Sequence, residues 1–138
     1  MYHTYEPFNQ VRYKKHLAQI HSIDNDINIS YVDNGYANNI FVKENELEPI
    51  VLTSELLDKL IGNRKTSSDD FIVRFNCKDY TVRVGLDANG PWIVSVNGEN
   101  HKRVKYLHEL QNYIKDNANK HIIFLVENSN TLAIWKRF

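Results

Sequence analysis

The side chains that could do chemistry are few and badly spaced for it. A metal-dependent nuclease of the common restriction type needs an acid and, roughly a dozen residues on, a Glu-x-Lys on one strand to hold a metal and polarise water. Asp69, Asp70 and Asp87 are available acids, but Glu99-Asn100-His101-Lys102 misses that spacing. The six histidines form no His-x-x-x-His pair: His16 and His21 are five apart, His101 and His108 seven apart. Single histidines at such spacings read as surface or half-buried side chains rather than ligands. Cys77 is the one cysteine, which excludes an internal disulfide and any multi-cysteine metal site. It has no histidine near it in sequence to activate it as a nucleophile. Gly85 and Gly90 flank a turn and do not lead into a helix, so no phosphate-cradling loop is present. The expectation is a chain without enzymatic activity, metal or cofactor.

The elements that would position a binding surface are clearer. At 138 residues the chain is expected to be one domain, 1–138, with residues 1–26 as an N-terminal helical extension. No apolar run approaches the roughly 20 residues of a membrane span, and the N-terminus has no apolar signal core, so a cytoplasmic location and no membrane partner are expected. Seventeen asparagines make the loops polar and turn-prone. Residues 8–21 predict a short helix with Val11, Leu17 and Ile20 on one side. Residues 27–32 predict a strand, Asp33-Asn34-Gly35 a turn, Ile40-Phe41-Val42 a second strand, and Lys43 to Glu48 a charged loop. Ile50-Val51-Leu52 is extended. Thr53 or Ser54 caps a helix whose stripe is Leu56, Leu57, Leu60 and Ile61, and Gly62 stops it.

A polar loop from Asn63 to Asp70 leads to alternation from Phe71 to Cys77, a Lys78-Asp79 turn, and a strand from Tyr80 to Val84. After a Gly85 to Gly90 turn, Trp92 to Val96 is a third strand, closed by Asn97-Gly98. Lys102 to Lys115 predicts a second helix facing inward with Val104, Leu107, Leu110 and Ile114. His121 to Val126 is a strand apolar on both faces, which Asn128-Ser129-Asn130 turns into Thr131 to Trp135. The fold class expected is mainly β with two short helices (α+β).

Net charge is zero but unevenly spread. Residues 23–70 carry ten acids against four bases, and residues 99–138 seven bases against four acids. Such asymmetry suits a two-faced molecule.

In this order, residues 50–138 resemble the B3-type DNA-binding domain, the pseudobarrel of plant transcription factors and of the recognition domains of the restriction enzymes EcoRII and BfiI. Ile50 to Leu57 resembles that family's strand-into-helix segment and Phe71 to Val84 its central hairpin. Trp92 to Val96 resembles the following strand, Val104 to Ile114 the second helix, and Ile122 to Trp135 the closing pair. The resemblance implies an open β pseudobarrel that clasps the major groove with two arms. The arm nearer the C-terminus would fall between Arg83 and Ser95, with Arg83, Asp87, Asn89, Trp92 and Ser95 as readers. The other would fall within Asp33 to Glu48, with Asn34, Tyr36, Asn38, Asn39 and Lys43. Arg can pair guanine through two bonds and Asn can pair adenine. Lys14, Lys15, Lys102 and Arg103 would hold phosphates. The implied function is a double-stranded DNA-binding domain reading sequence or base modification, as the recognition part of a restriction endonuclease with further domains or a partner subunit. The alternative is a small protein-binding or inhibitor module of phage or mobile-element type.

Overall fold

The computed structural model describes residues 5–53, 56, 70–75, 78–83, 92–96, 98–118, 122–123, 127–128, 131–132 and 136–137. The described chain is mainly β. Four strands open it as a meander: β1 (Gln10–Tyr13), β2 (His16–Ile23), β3 (Ile27–Asp33) and β4 (Tyr36–Val42). A 3-10 turn over Glu44–Glu46 then carries the chain back to β5 (Glu48–Pro49), which pairs antiparallel with β1. The sheet order is β4-β3-β2-β1-β5.

This return fixes the curvature of the sheet. In a flat sheet, four inter-strand spacings of about 4.8 Å would put β5 about 19 Å from β4. The link 43–47, partly coiled in a 3-10 turn rising about 2 Å per residue, reaches only about 16 Å. The sheet therefore curls, and the apolar face on its inside closes over Leu47. Val11, Tyr13, Ala18, Ile20, Ile27, Ile29, Val42 and Leu47 form that core, with Tyr5, Tyr31 and Ile40 packed against it. Ile20 and Ile29 are fully buried. Each such side chain contributes about 1.5–3 kcal/mol by leaving water.

Residues 8–21, expected as a helix, are instead β1, a two-residue turn and β2. The burial of Val11, Tyr13, Ala18 and Ile20 follows the two-residue period of a strand, and Leu17, assigned to the helix stripe, lies on the opposite face. Tyr13 pairs with His16, so Lys14 and Lys15 are the whole connection. Both have positive φ, 45° and 72°, the backbone that a tight hairpin of right-handed twist demands.

The second sheet is also a meander: β6 (Asp70–Phe75), β7 (Lys78–Arg83), β8 (Trp92–Val96) and β9 (Glu99–Val104). Lys78 and Asp79, expected as a turn, pair with Phe75 and Arg74 and belong to β7. That register sets Phe71 against Val82 and Val73 against Tyr80, apolar against apolar. Residues 99–104, partly assigned to the second helix, are the edge strand β9. Gly98 at φ 80° turns the chain into it, and Asn100 at φ 57° sits where the β8–β9 register shifts.

The helix α1 (Leu107–Ala118) starts five residues later than expected. Its start is set by the Glu109 carboxylate, which accepts from the amides of Lys105 at 2.7 Å and Tyr106 at 3.0 Å. Of the other expected helix, Leu56 is helical and its amide donates to Thr53 Oγ1 at 3.1 Å, the bond expected of an N-cap. The remainder of that helix lies outside the described residues. Where a closing pair was expected, β10 (Ile122–Ile123) pairs with β13 (Lys136–Arg137) and β11 (Glu127–Asn128) with β12 (Thr131–Leu132). Asn128, expected in the turn, is therefore a strand residue, and pairing is found beyond Trp135, where the second strand was expected to end.

Two polar seams join the parts. The amide of Leu107 donates to the Ile50 carbonyl at 2.7 Å and that of Leu52 to the Lys105 carbonyl at 2.9 Å, around a bridge between Val51 and Tyr106. The second seam is made of side chains. Leu107, Leu110 and Ile114 are fully buried, and so, nearly, are His108, Gln111 and Asn112 at 1%, 3% and 7% exposure. Asn9 Nδ2 donates to Asn112 Oδ1 at 2.8 Å, the Gln10 amide to Gln111 Oε1 at 2.9 Å, and Lys115 Nζ to Glu6 Oε1 at 2.7 Å. The helix thus meets β1 through amides, each bond contributing about 0.5–1.5 kcal/mol but costing more than that if one partner is removed.

Candidate nucleic-acid interface

Strand direction sorts the surface of the first sheet into two ends. β1 and β3 run the same way, so the turns that follow them, Lys14-Lys15 and Asn34-Gly35, emerge together. The turn after β2 (residues 24–26) and the segment after β4 (residues 43–47) emerge at the other end.

The first end is basic and aromatic. Lys14 and Lys15 are exposed. Lys14 Nζ lies 5.3 Å from the Tyr13 ring centre, a cation–π contact. Tyr13 and Tyr31 rings are 5.3 Å apart, and His16 stacks on Tyr31 at 5.0 Å. Beside them Asn34 (φ 51°) and Gly35 (φ 81°) make the β3–β4 tip, where both central residues need positive φ and Gly35 supplies it without strain. Tyr36, 76% exposed, follows the tip. Neighbouring hairpins lie about 10 Å apart, close to the roughly 12 Å width of a major groove.

The second end is acidic. Asp24, Asp26, Glu44 and Glu46 stand in its connections. Glu48 does not, because β5 runs back and sets it opposite Arg12, near the Lys14-Lys15 turn. Lys43 pairs with Asp26, and that hydrogen bond, reinforced by the charge of Asp26, holds its ammonium above the usual lysine range. Glu46 accepts from the Lys43 amide at 2.8 Å. Tyr5 belongs to this end. Burial, chiefly, with the charges of Glu44, Tyr106 and Glu48, pushes its hydroxyl up to about 12. Its ring meets His108 edge-on at 4.9 Å, and His108 stacks on Tyr106 at 5.7 Å.

The residues singled out from sequence separate accordingly. Asn34 and Tyr36 stand at the basic end with Lys14 and Lys15. Lys43 stands at the acidic end and is engaged by Asp26. Asn38 Nδ2 donates to the Tyr36 carbonyl at 3.1 Å, bracing the hairpin. Asn39 exchanges amide bonds with Asn28 at 3.1 and 3.2 Å. On the second sheet, Arg83 ends β7, and the register lines it up with Ile93 and Arg103 across three strands. Lys102 and Arg103 are exposed on the edge strand β9. Trp92 is half-buried and its Nε1 donates to the Leu52 carbonyl at 3.1 Å. Ser95 is 3% exposed and so faces no groove. Asp87 and Asn89 lie outside the described residues.

His16 and Tyr31 were not singled out from sequence. Their contribution depends on the two hairpins lying side by side, which no local pattern announces. Among the described residues no group of three or more His, Cys, Asp or Glu is placed to hold a metal ion. Among them, too, no helix is long and apolar enough to cross a membrane. Comparison of the chain with protein-family models, with curated proteins and with solved structures finds no match.

Proposed function

We propose that this chain binds double-stranded DNA with the basic end of its first sheet. The observation that carries the reading is the lysine pair at the β1–β2 turn. Both lysines occupy a left-handed backbone that costs an ordinary residue about 1–2 kcal/mol, where Asn-Gly would sit without strain. Unrelieved backbone strain in a turn points to a role for the side chains it carries. Lys14 and Lys15 are suited to phosphates, and the neighbouring β3–β4 hairpin is a two-stranded ribbon of the kind a major groove admits. Asn34 is then the candidate base reader and Tyr36 an aromatic contact beside it. Of the three glutamates of residues 43–48, which would repel a phosphate backbone, Glu44 and Glu46 follow β4 at the far end, while Glu48 is set against Arg12 across β1 and β5.

The order of elements from β6 to β13 supports a B3-like open pseudobarrel for the remainder, with β9 as an additional strand. In that reading Arg83, Lys102 and Arg103 add a second basic contact. The neutral total charge keeps non-specific affinity low, so recognition rests on the local patch. A single cysteine suits a reducing, cytoplasmic setting.

The test is a titration of labelled random-sequence duplex DNA with the purified chain at about 50 mM salt, followed by sequencing of the bound fraction. Binding that weakens with salt and enriches a short motif is the expected result. No binding at that salt overturns the reading and favours a protein-binding module, which the clustered acids at the opposite end would serve as a mimic of nucleic acid.

A further inference from the structure

The edges of the two sheets differ in how they are guarded. β5 ends its sheet with Glu48-Pro49, and β9 ends the other with Glu99, His101, Lys102 and Arg103 exposed. Charges and proline are the usual means of keeping an edge from pairing with another chain. β4 has neither. Its seven residues, Tyr-Ala-Asn-Asn-Ile-Phe-Val, contain no charge and no proline, and Tyr36 and Phe41 are 76% and 69% exposed. Among the described residues no strand pairs with its outer edge.

The register fixes which backbone groups face outward. In a two-residue hairpin the closing pair, here Asp33 and Tyr36, exchanges both bonds. The inward pairs therefore fall at Tyr36, Asn38, Ile40 and Val42. The amides and carbonyls of Ala37, Asn39 and Phe41 point away from β3.

We infer that β4 pairs antiparallel with β4 of a second copy of this chain, with Asn39 on the two-fold axis. The strand is complementary to itself in that register. Ala37 of one copy meets Phe41 of the other, small against large, and all three outward residues fall in hydrogen-bonded positions. The two Asn39 amides face each other and extend the Asn28–Asn39 pair into a four-amide row. The two-fold also sets the basic end of each first sheet beside the acidic end of the other, so the charge asymmetry attracts. A partner of strong single charge would gain nothing from a strand that carries none. Two seven-residue strands make a small interface, so the dissociation constant is expected on the order of 10–100 micromolar.

The experiment is sedimentation velocity of the full chain without DNA, from about 2 to about 200 micromolar. A monomer–dimer transition within that range is expected. Asn39→Lys, which sets two like charges face to face, is expected to weaken the dimer more than about tenfold. Ala37→Lys alters an exposed side chain that makes no bond in the hairpin, and gives the same result if Asn39→Lys disturbs the Asn28 pair. Asn39→Cys, oxidised, is expected to yield a covalent dimer above the level given by the native chain with its Cys77. A wild-type chain that stays monomeric throughout overturns the inference and leaves the edge to an extended segment of another protein. A dimer that survives both lysine substitutions overturns it by moving the contact elsewhere. Either result leaves the DNA reading to its own titration.

Discussion

The two ends of the first sheet hang from the same four strands and share one core, yet they differ in charge and in what holds their connections. At the basic end the turns are as short as a hairpin allows, two residues each, and depend on positive φ. At the acidic end the connections are longer and held by side chains, Lys43 to Asp26 and Glu46 to the Lys43 amide. A tight turn leaves its two lysines exposed, Lys14 resting on the Tyr13 ring rather than on a carboxylate. A longer turn braced by its own carboxylates has used its polar groups internally. The lesson is that exposed charge alone does not mark a binding end; charge left unspent by its own loop does.

The severest way to break the comparison is to remove the core both ends share. Ile29→Ala is expected to cost about 3–4 kcal/mol in denaturant unfolding, and to abolish DNA binding together with the fold. Lys14→Ala with Lys15→Ala should leave stability nearly unchanged and reduce the slope of log affinity against log salt by about 2, measured by anisotropy over a salt series. A slope that does not move removes the basic end from the interface. Lys14→Asn with Lys15→Gly sharpens the contrast further: thermal unfolding should show a gain of about 1 kcal/mol while DNA affinity falls.

At the other end, Asp24→Asn with Glu44→Gln should change DNA affinity by less than about threefold, because seven-residue strands separate that end from the lysine pair by about 20 Å, beyond a Debye length of about 10 Å. An effect matching that of the lysine pair would merge the two ends. The smallest effect concerns Tyr5. Its folded pKa is raised from 10.0 to about 12. The associated stability is present in full below pH 10 and is lost as pH climbs through 12. A pH series of unfolding midpoints should show that loss, and Tyr5→Phe should flatten it.

Much of the β architecture was legible from residue pattern. Alternating Ile27, Ile29 and Tyr31 marked β3, Asp33-Asn34-Gly35 marked its turn, and Phe71 to Val96 marked three strands of the second meander. What failed had physical causes. Lys14-Lys15 is a turn without a turn residue, so β1 and β2 ran together, and Val11, Leu17 and Ile20 imitated a helical stripe. β9 is an exposed edge, and its Glu99 to Arg103 alternate no apolar residue, so nothing separated it from the helix that follows. The apolar face of α1 was visible in Leu107, Leu110 and Ile114. Its amide face was invisible, because Gln111 and Asn112 look like solvent-facing residues until Gln10 and Asn9 are set opposite them. The candidate site was legible as residue types, Lys14, Lys15, Asn34 and Tyr36. Their common end was not, since it follows from strand direction.

The side-chain seam between β1 and α1 has a consequence for how the chain is made. Its bonds join residues 101 to 109 positions apart. A ribosome adding roughly 10 residues per second would complete the first sheet, at Pro49, about six seconds before the helix begins at Leu107. Asn9 and Gln10 must stay hydrated through that interval and shed their water last, making helix docking the final step of assembly and the one most exposed to delay.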